Sequence, residues 1–533
     1  MFFHESVECS ANRAAMRSIL PGKAGDSALA ADSNTMYRLF IWLLSLFVLV
    51  ACEGTPRQDL RFSLVAAPVT LDPRFDTDAA SERINRLLYR HLVDFDETFR
   101  PIPDLASWTQ IEPTRYRFTL KNEGRIFHDG SRLTTMDVKA TYDALLNPAS
   151  GSPYRAALAN LREVIVQDPD CLDFVLTRPD PWFPGRLNHG IVPAHLLAIG
   201  HDFVTHPVGS GPFAFVARPE EGKLRLRRQK DGLTMEFLEV KDPTVRVLKL
   251  LRGEVDLLQG DLPPELLRYL EKRPEVRISR SQGITFSYLG FNLNDPVTAD
   301  LRIRQAVAHA LDREECVRYL LGGNARLAEA LLPPEHWAGH PALNGIPHDS
   351  ARARSLLAAA GYGPDHPLTL VYKTSSDPLR VRIATLFQRQ LAEVGIRVDL
   401  RNYDWGTFYG DIKAGRFQMF SLSWVGIKTP EIFRYVFHSA SLPPDGANRG
   451  HYANLETDSL IESAESATSL AAASSLYQKL QALLIADLPY VPLWYEDQVA
   501  VVRREIEGYA TTRDGNYDAL ALITKVTKNH DGP

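Results

Sequence analysis

Cysteine is scarce in this sequence: 533 residues contain four, Cys9, Cys52, Cys171 and Cys316, and no two stand at zinc-ligand spacing. The sequence allows a disulfide between Cys171 and Cys316 in an oxidising compartment without requiring one; the two are far apart and each sits beside apolar residues. A basic excess is also missing. Lys and Arg number 60 against 65 Asp and Glu, a net charge of −5, which argues against a nucleic-acid partner. No apolar run reaches the roughly 20 residues that span a bilayer, and there is no internal repeat or low-complexity block. Catalytic signatures are absent as well. Gly209-Ser210-Gly211-Pro212 lacks the lysine of a phosphate loop and the spacing of a nucleophile elbow. His189, His195 and His206 lack the i, i+4 spacing of a zinc helix. Phe127-His128-Asp129-Gly130 reads as a turn, because Asp-Gly is a favoured turn dipeptide. No nucleophile–base set assembles, so neither enzyme activity nor a metal or other cofactor is expected.

Met36–Cys52, MYRLFIWLLSLFVLVAC, is the most distinctive local feature. Arg38 supplies a positive flank, and the apolar run Leu39–Val50 has the length of a signal-peptide core, about 7–15 residues. Leu49-Val50-Ala51-Cys52 resembles a bacterial lipobox, in which the cysteine is acylated and becomes the mature N-terminus. The reading is a leader at 1–35 (a gene-model artefact or a disordered stretch before the true start at Met36), a lipoprotein signal peptide at 36–51 and a tether at 52–59. It implies a periplasmic or cell-surface protein held to a bacterial membrane through lipid on Cys52.

Beyond the tether, a chain this long buries a large core and forms more than one domain or lobe. Short strands alternate with helices, an α/β pattern. Phe62–Ala67, Arg115–Lys121 and Ile396–Arg401 alternate as strands, and Val276–Asn292 holds two extended runs suited to a crossover. Thr134, Asp300, Asp312, Asp349 and Asp377 stand where helix N-caps belong, and Gly361 and Gly395 where helices end. The helix Leu476–Ile485 runs into Pro489 and Pro492, which favour extended chain.

From about Leu60 to Gly508 the order of local motifs resembles the dipeptide and oligopeptide solute-binding proteins of ABC importers, family 5 of the extracellular solute-binding proteins. The matching segments include Thr70-Leu71-Asp72-Pro73, Phe127-His128-Asp129-Gly130, Gly209-Ser210-Gly211-Pro212-Phe213, Gly253-Glu254-Val255-Asp256, Gly290-Phe291-Asn292 and Gln390-Leu391-Ala392-Glu393-Val394-Gly395-Ile396. The resemblance implies the two-lobed α/β periplasmic-binding-protein fold, with hinged lobes and an extra subdomain in lobe I. Lobe I would comprise 57–285 and 491–533, and lobe II 286–490. It also implies capture of a peptide-like or other small polar solute by hinge closure, delivery to ABC permease subunits, and a monomer. A sensory receptor for a small solute uses the same closed state and is the alternative; a cell-wall-fragment hydrolase is the remote one.

Within that resemblance the expected ligand-binding residues are Tyr288, Tyr403, Trp405, Trp424, Lys428, Trp494 and Tyr495, because solute pockets present aromatic platforms beside a few polar groups. Tyr409 is assigned to the core. Peptide-binding members carry an acid three residues after a tryptophan, where it meets the peptide amine. In Trp424-Val425-Gly426-Ile427-Lys428 that place is Ile427, with Lys428 beside it. The expectation is a ligand without a free α-amine at this end, with the Lys428 charge favouring a carboxylate, a phosphate or an uncharged polar group.

Overall fold

The computed structural model of the chain describes residues 59–526 apart from positions 156 and 445. The leader, the signal segment, Cys52 and nearly all of the tether lie outside the described residues. No helix among the described residues is long and apolar enough to cross a membrane.

Aspartate starts many of the helices. Asp300, Asp312, Asp349 and Asp377 each accept a backbone N–H at the start of Leu301–Ala310, Arg313–Tyr319, Ser350–Ala359 and Pro378–Glu393. Thr134 and Asp137 form a reciprocal capping box on Thr135–Leu146. Gly361 and Gly395 take positive φ, +90° and +94°, as left-handed stops. Strand alternation works equally directly. In Lys223–Arg228 (KLRLRR) the two leucines point into the core and their neighbours face outward.

These elements build an eleven-stranded mixed sheet. Its centre is an antiparallel pair of long strands, Val276–Phe291 of 16 residues and Tyr490–Arg503 of 14. The pairing runs from Val276 opposite Arg503 to Gly290 opposite Tyr490. On one side the second long strand neighbours Leu257–Gln259, then Leu60–Leu64 and Thr234–Glu239. On the other, Phe286–Phe291 neighbours Met419–Trp424, followed by Leu368–Ser375 and Ile396–Tyr403. Each flank has its own apolar core, one around Phe62, Phe213, Leu226 and Phe237, the other around Phe291, Tyr372, Phe387 and Leu391. The molecule is thus a two-lobed α/β protein joined by two adjacent crossover strands. An additional four-stranded antiparallel sheet, Ala106–Glu112, Arg115–Leu120, Cys171–Leu176 and Leu161–Val166, carries a separate core on the first lobe.

One detail differs from the sequence reading. Val491, Leu493 and Trp494 pack in the second lobe's core, so the chain returns to the first lobe near Glu496 rather than at 490/491. Cys171 and Cys316, the two cysteines among the described residues, are free thiols, the outcome that their distance in sequence favours. Cys316 is buried in the second lobe's core and Cys171 lies on the small sheet, so different cores hold them apart.

The register of the central pair breaks between Ser281 and Thr285. A Cβ on Gly283 would stand 1.9 Å from the Glu496 carbonyl oxygen, so only glycine lets the strands stay paired at this passage. Gly283→Ala is expected to destabilise the protein by about 2 kcal/mol or more, because backbone cannot give way as a side chain does. Urea unfolding measures this; an unchanged midpoint would show that the strands separate there at no cost.

Candidate functional site

A cavity of about 1760 Å³ lies between the lobes. Its first-lobe wall is the loop from Pro73 to Asp76, the exposed face of helix Ala79–Leu88 and the segments around Tyr154 and Arg186. Its second-lobe wall is Trp424–Thr429, helix Ile432–Phe437 and the end of helix Leu455–Glu465. Helix Ala79–Leu88 is held by close backbone packing. A Cβ on Gly209 would stand 2.1 Å from the Leu88 carbonyl oxygen and one on Gly211 2.4 Å from that of Leu87. The Gly209-Ser210-Gly211 motif therefore serves to dock this helix end.

Charged pairs cross from lobe to lobe around the cavity. Lys428 Nζ lies 2.9 Å from the Asp514 carboxylate, with both side chains largely buried. Burial alone would push the Asp514 carboxyl up; the Lys428 ammonium, with the Thr512 hydroxyl, overcomes that and holds it well below the usual carboxylate range. Arg186 sits between Asp180 at 2.9 Å and Glu431 at 3.1 Å. Arg178 reaches Glu465 at 3.4 Å, and Arg434 meets the same carboxylate at 2.8 Å. Beside the cavity Trp182 stacks on Trp337 with ring centroids 4.6 Å apart, and Phe99 stacks on His336 at 5.4 Å. The structure is therefore the closed arrangement of the lobes.

The first-lobe wall also presents polar groups that no basic residue neutralises. Asp76 accepts from Asn85 Nδ2 at 2.8 Å and from the Tyr154 hydroxyl at 2.6 Å. Burial pushes its carboxyl up to about 7, against the pull of those two donors, and Glu82 adds to the rise. Asn85 Oδ1 has no hydrogen-bond partner. Arg86 also lines the cavity, but its guanidinium is engaged by Asp518 at 2.8 Å and Asp94 at 3.0 Å. Burial lowers His91 to about 3 and His189 to about 4, so both rings are neutral at pH 7.

Of the seven residues expected from sequence to meet ligand, the cavity brings together Trp424 and Lys428. The Trp424 ring lies under the Arg449 guanidinium at 5.1 Å. Lys428 carries its charge to Asp514, not to the ligand, which removes the reason for expecting a ligand carboxylate or phosphate there. Tyr288, Trp494 and Tyr495 are core residues. Tyr288 stacks on Tyr490 at 4.0 Å, Trp494 packs near Phe387, and the buried Tyr495 ring donates its hydroxyl to the Ala330 carbonyl. The parts of the crossover strands that carry these aromatics are buried, and that leaves the rings no access to the cavity. Tyr403 is half-buried under Lys373, and Trp405 is 59% exposed, stacked on Tyr409 at 5.3 Å outside the cavity lining. Tyr409, assigned to the core, shares its ring with Trp405, Lys413 and Arg449. Sequence reasoning missed Asp76, Glu82, Asn85, Tyr154 and the cross-lobe arginines. A signal existed for the first three, since they follow the Thr70-Leu71-Asp72-Pro73 motif on and just before one short helix.

The family of bacterial extracellular solute-binding proteins, family 5, matches residues 100–441 by its middle region. A glutathione-binding protein, GsiB of Pectobacterium atrosepticum, is 27% identical over 504 residues, covering 89% of this chain and 96% of that protein. A di/tripeptide-binding protein of Pseudomonas aeruginosa is 26% identical over 517 residues, covering 85% and 97%. Among solved structures, NikZ from Campylobacter jejuni in complex with Ni(L-His) superposes with a TM-score of 0.78 at 24% identity, covering 88% of this chain and all of that one. That likeness establishes the periplasmic-binding-protein fold.

The Lys428–Asp514 pair has a measurable consequence. Removing one partner strands a buried charge in the closed form, and opening of the lobes restores its hydration, so Lys428→Met and Asp514→Asn are each expected to favour the open form and to enlarge the radius of gyration of the ligand-free protein. The double variant, which leaves no charge stranded, is expected to open less than either single variant. Additive changes of radius in small-angle scattering would show that the two groups do not interact.

Proposed function

The chain belongs to the bacterial extracellular solute-binding proteins of family 5, and on that premise we propose that it encloses a peptide-like or other small polar solute between its lobes by hinge closure. It is the solute-binding component of an ABC importer. The observation that carries the proposal is the cavity itself, walled by both lobes and ringed by ion pairs between them. Its volume of about 1760 Å³ exceeds the roughly 300–1,000 Å³ of ordinary small-molecule sites, which suits an extended solute. The relatives named for glutathione and for di- and tripeptides support the peptide-like class. In this reading the lobes meet at the two crossover strands, the protein acts as a monomer, and solute is bound without being converted.

The second part of the proposal is the anchor. Acylation at Cys52 would hold the protein to a membrane outside the cytoplasm, within diffusion reach of its permease, because several acyl chains anchor stably where one binds only marginally. Replacing Cys52 with Ser is expected to release the protein into the soluble fraction; membrane association unchanged in that variant would exclude the lipid anchor.

Hinge closure is tested on protein stripped of ligand by partial unfolding and refolded. Small-angle scattering is expected to give a smaller radius of gyration after reloading with the ligand recovered from the native preparation. The same ligand at a hundredfold excess over its dissociation constant adds about 2.7 kcal/mol of stability. A radius unchanged by a ligand that binds tightly, or chemical conversion of that ligand, contradicts the proposal.

A further inference from the structure

The first-lobe wall of the cavity is rich in acceptors and lacks their donor. Asp76 is 8% exposed, and neither it nor Glu82 has an ion-pair partner among the described residues. Asn85 is 2% exposed and spends its amide N–H on Asp76; that fixes its Oδ1 as a buried acceptor with nothing bound to it. The Tyr154 hydroxyl is likewise spent as a donor to Asp76. What remains unfilled is acceptor capacity on Asp76, Glu82 and Asn85, all three lining the cavity. A buried carboxylate without a cation is unfavourable, and the high Asp76 carboxyl pKa is the sign of it here. The cluster faces the second lobe's Trp424-Val425-Gly426-Ile427 loop: a Cβ on Gly426 would stand 4.0 Å from Glu82 Oε2.

We propose that Asp76, Glu82 and Asn85 form a subsite for a primary ammonium group of the bound solute, supplied by the first lobe across the cavity from Ile427. A primary ammonium has three donors and one positive charge, which matches one amide oxygen beside two carboxylates. On the second-lobe wall the segment opposite, Ile427 with an already paired Lys428, offers no acid for that charge; Glu431 and Glu465 further along are held by Arg186 and by Arg178 and Arg434, and Glu462 meets His438. The assignment reverses the expectation of an amine-free ligand at this end: the acid has changed walls rather than vanished. It rests on the solute-capture reading above.

The test uses the purified mature protein and two probes, an equimolar pool of unmodified tripeptides and the same pool after N-acetylation, with retained peptides read by mass spectrometry. The protein is expected to retain the unmodified pool and to lose at least roughly tenfold of that retention on acetylation. Glu82→Gln, whose side chain makes no ion pair in the structure, is expected to weaken retention of unmodified peptides about tenfold while leaving the melting temperature of the ligand-free protein in place. Asp76→Asn is expected to act in the same direction. Equal retention of both pools, or retention of free-amine peptides unaffected in both variants, overturns the subsite and leaves solute capture standing. Retention of neither pool overturns the peptide-like reading and the subsite together.

Discussion

Everything in this molecule hangs on the antiparallel pairing of Val276–Phe291 with Tyr490–Arg503. The passage between lobes is pinned at Glu496, whose carboxylate accepts from the Ser287 hydroxyl at 2.7 Å and from Arg380 at 2.9 Å. Ser287 in turn meets Ser423 at 2.7 Å, and Arg380 lies on helix Pro378–Glu393. Burial works against ionisation of Glu496, yet Arg380 and Ser287 outweigh it and hold the carboxyl below its ordinary value. A charged group held by these two donors ties both strands to the second lobe's sheet and helices. Relative motion of the lobes is then confined to rotation about two neighbouring strands, a hinge of small extent. That confinement brings the helix Ala79–Leu88 and the loop Trp424–Thr429 face to face, although more than 300 residues separate them in the chain.

The ion pairs that cross the cavity do not make closure self-sustaining. Arg178 is half exposed, so its 3.4 Å contact with Glu465 is worth little in water. Lys428 and Asp514 are buried in the closed form; their attraction is offset by the loss of hydration that both recover on opening. Such pairs fix how the lobes meet more than how strongly they do. The remaining free-energy difference between open and closed states has to come from the solute, through its greater affinity for the closed one. A binder that closed firmly on its own would hide its site, and the near-balance of these pairs avoids that.

Much of the fold is legible in the sequence because its signals are local. Asp300, Asp312, Asp349 and Asp377 stand one residue before helices they cap, and alternation in Arg115–Leu120 or Ile396–Tyr403 needs only neighbours to be read. The return passage was harder, since Tyr490–Arg503 is a single uninterrupted strand with no punctuation where it changes lobe. Whether Trp494 faces a core or a cavity depends on what covers the strand, and that is decided by helices far away in sequence.

The site was less legible for the same reason, compounded by the behaviour of aromatic side chains. Aromatics are favoured in solute pockets and equally favoured in cores, so Tyr288, Trp494 and Tyr495 carried no information about which they served. Charge discriminates better. A buried carboxylate must be paired, bonded or shifted in pKa, and each remedy leaves a trace once the fold is known. Asp514 is paired with Lys428, Asp173 with Arg115 and Arg117, and Glu496 with Arg380. Asp76 alone in this comparison relies on two neutral donors, with a second carboxylate nearby and an amide oxygen left bare. Asp137, equally buried without a cation, is satisfied by Thr134 and by the Ala194 amide within a helix cap; Asp76 differs in lining the cavity beside Glu82 and a bare amide oxygen, and that position separates a residue holding the fold from one waiting for a ligand.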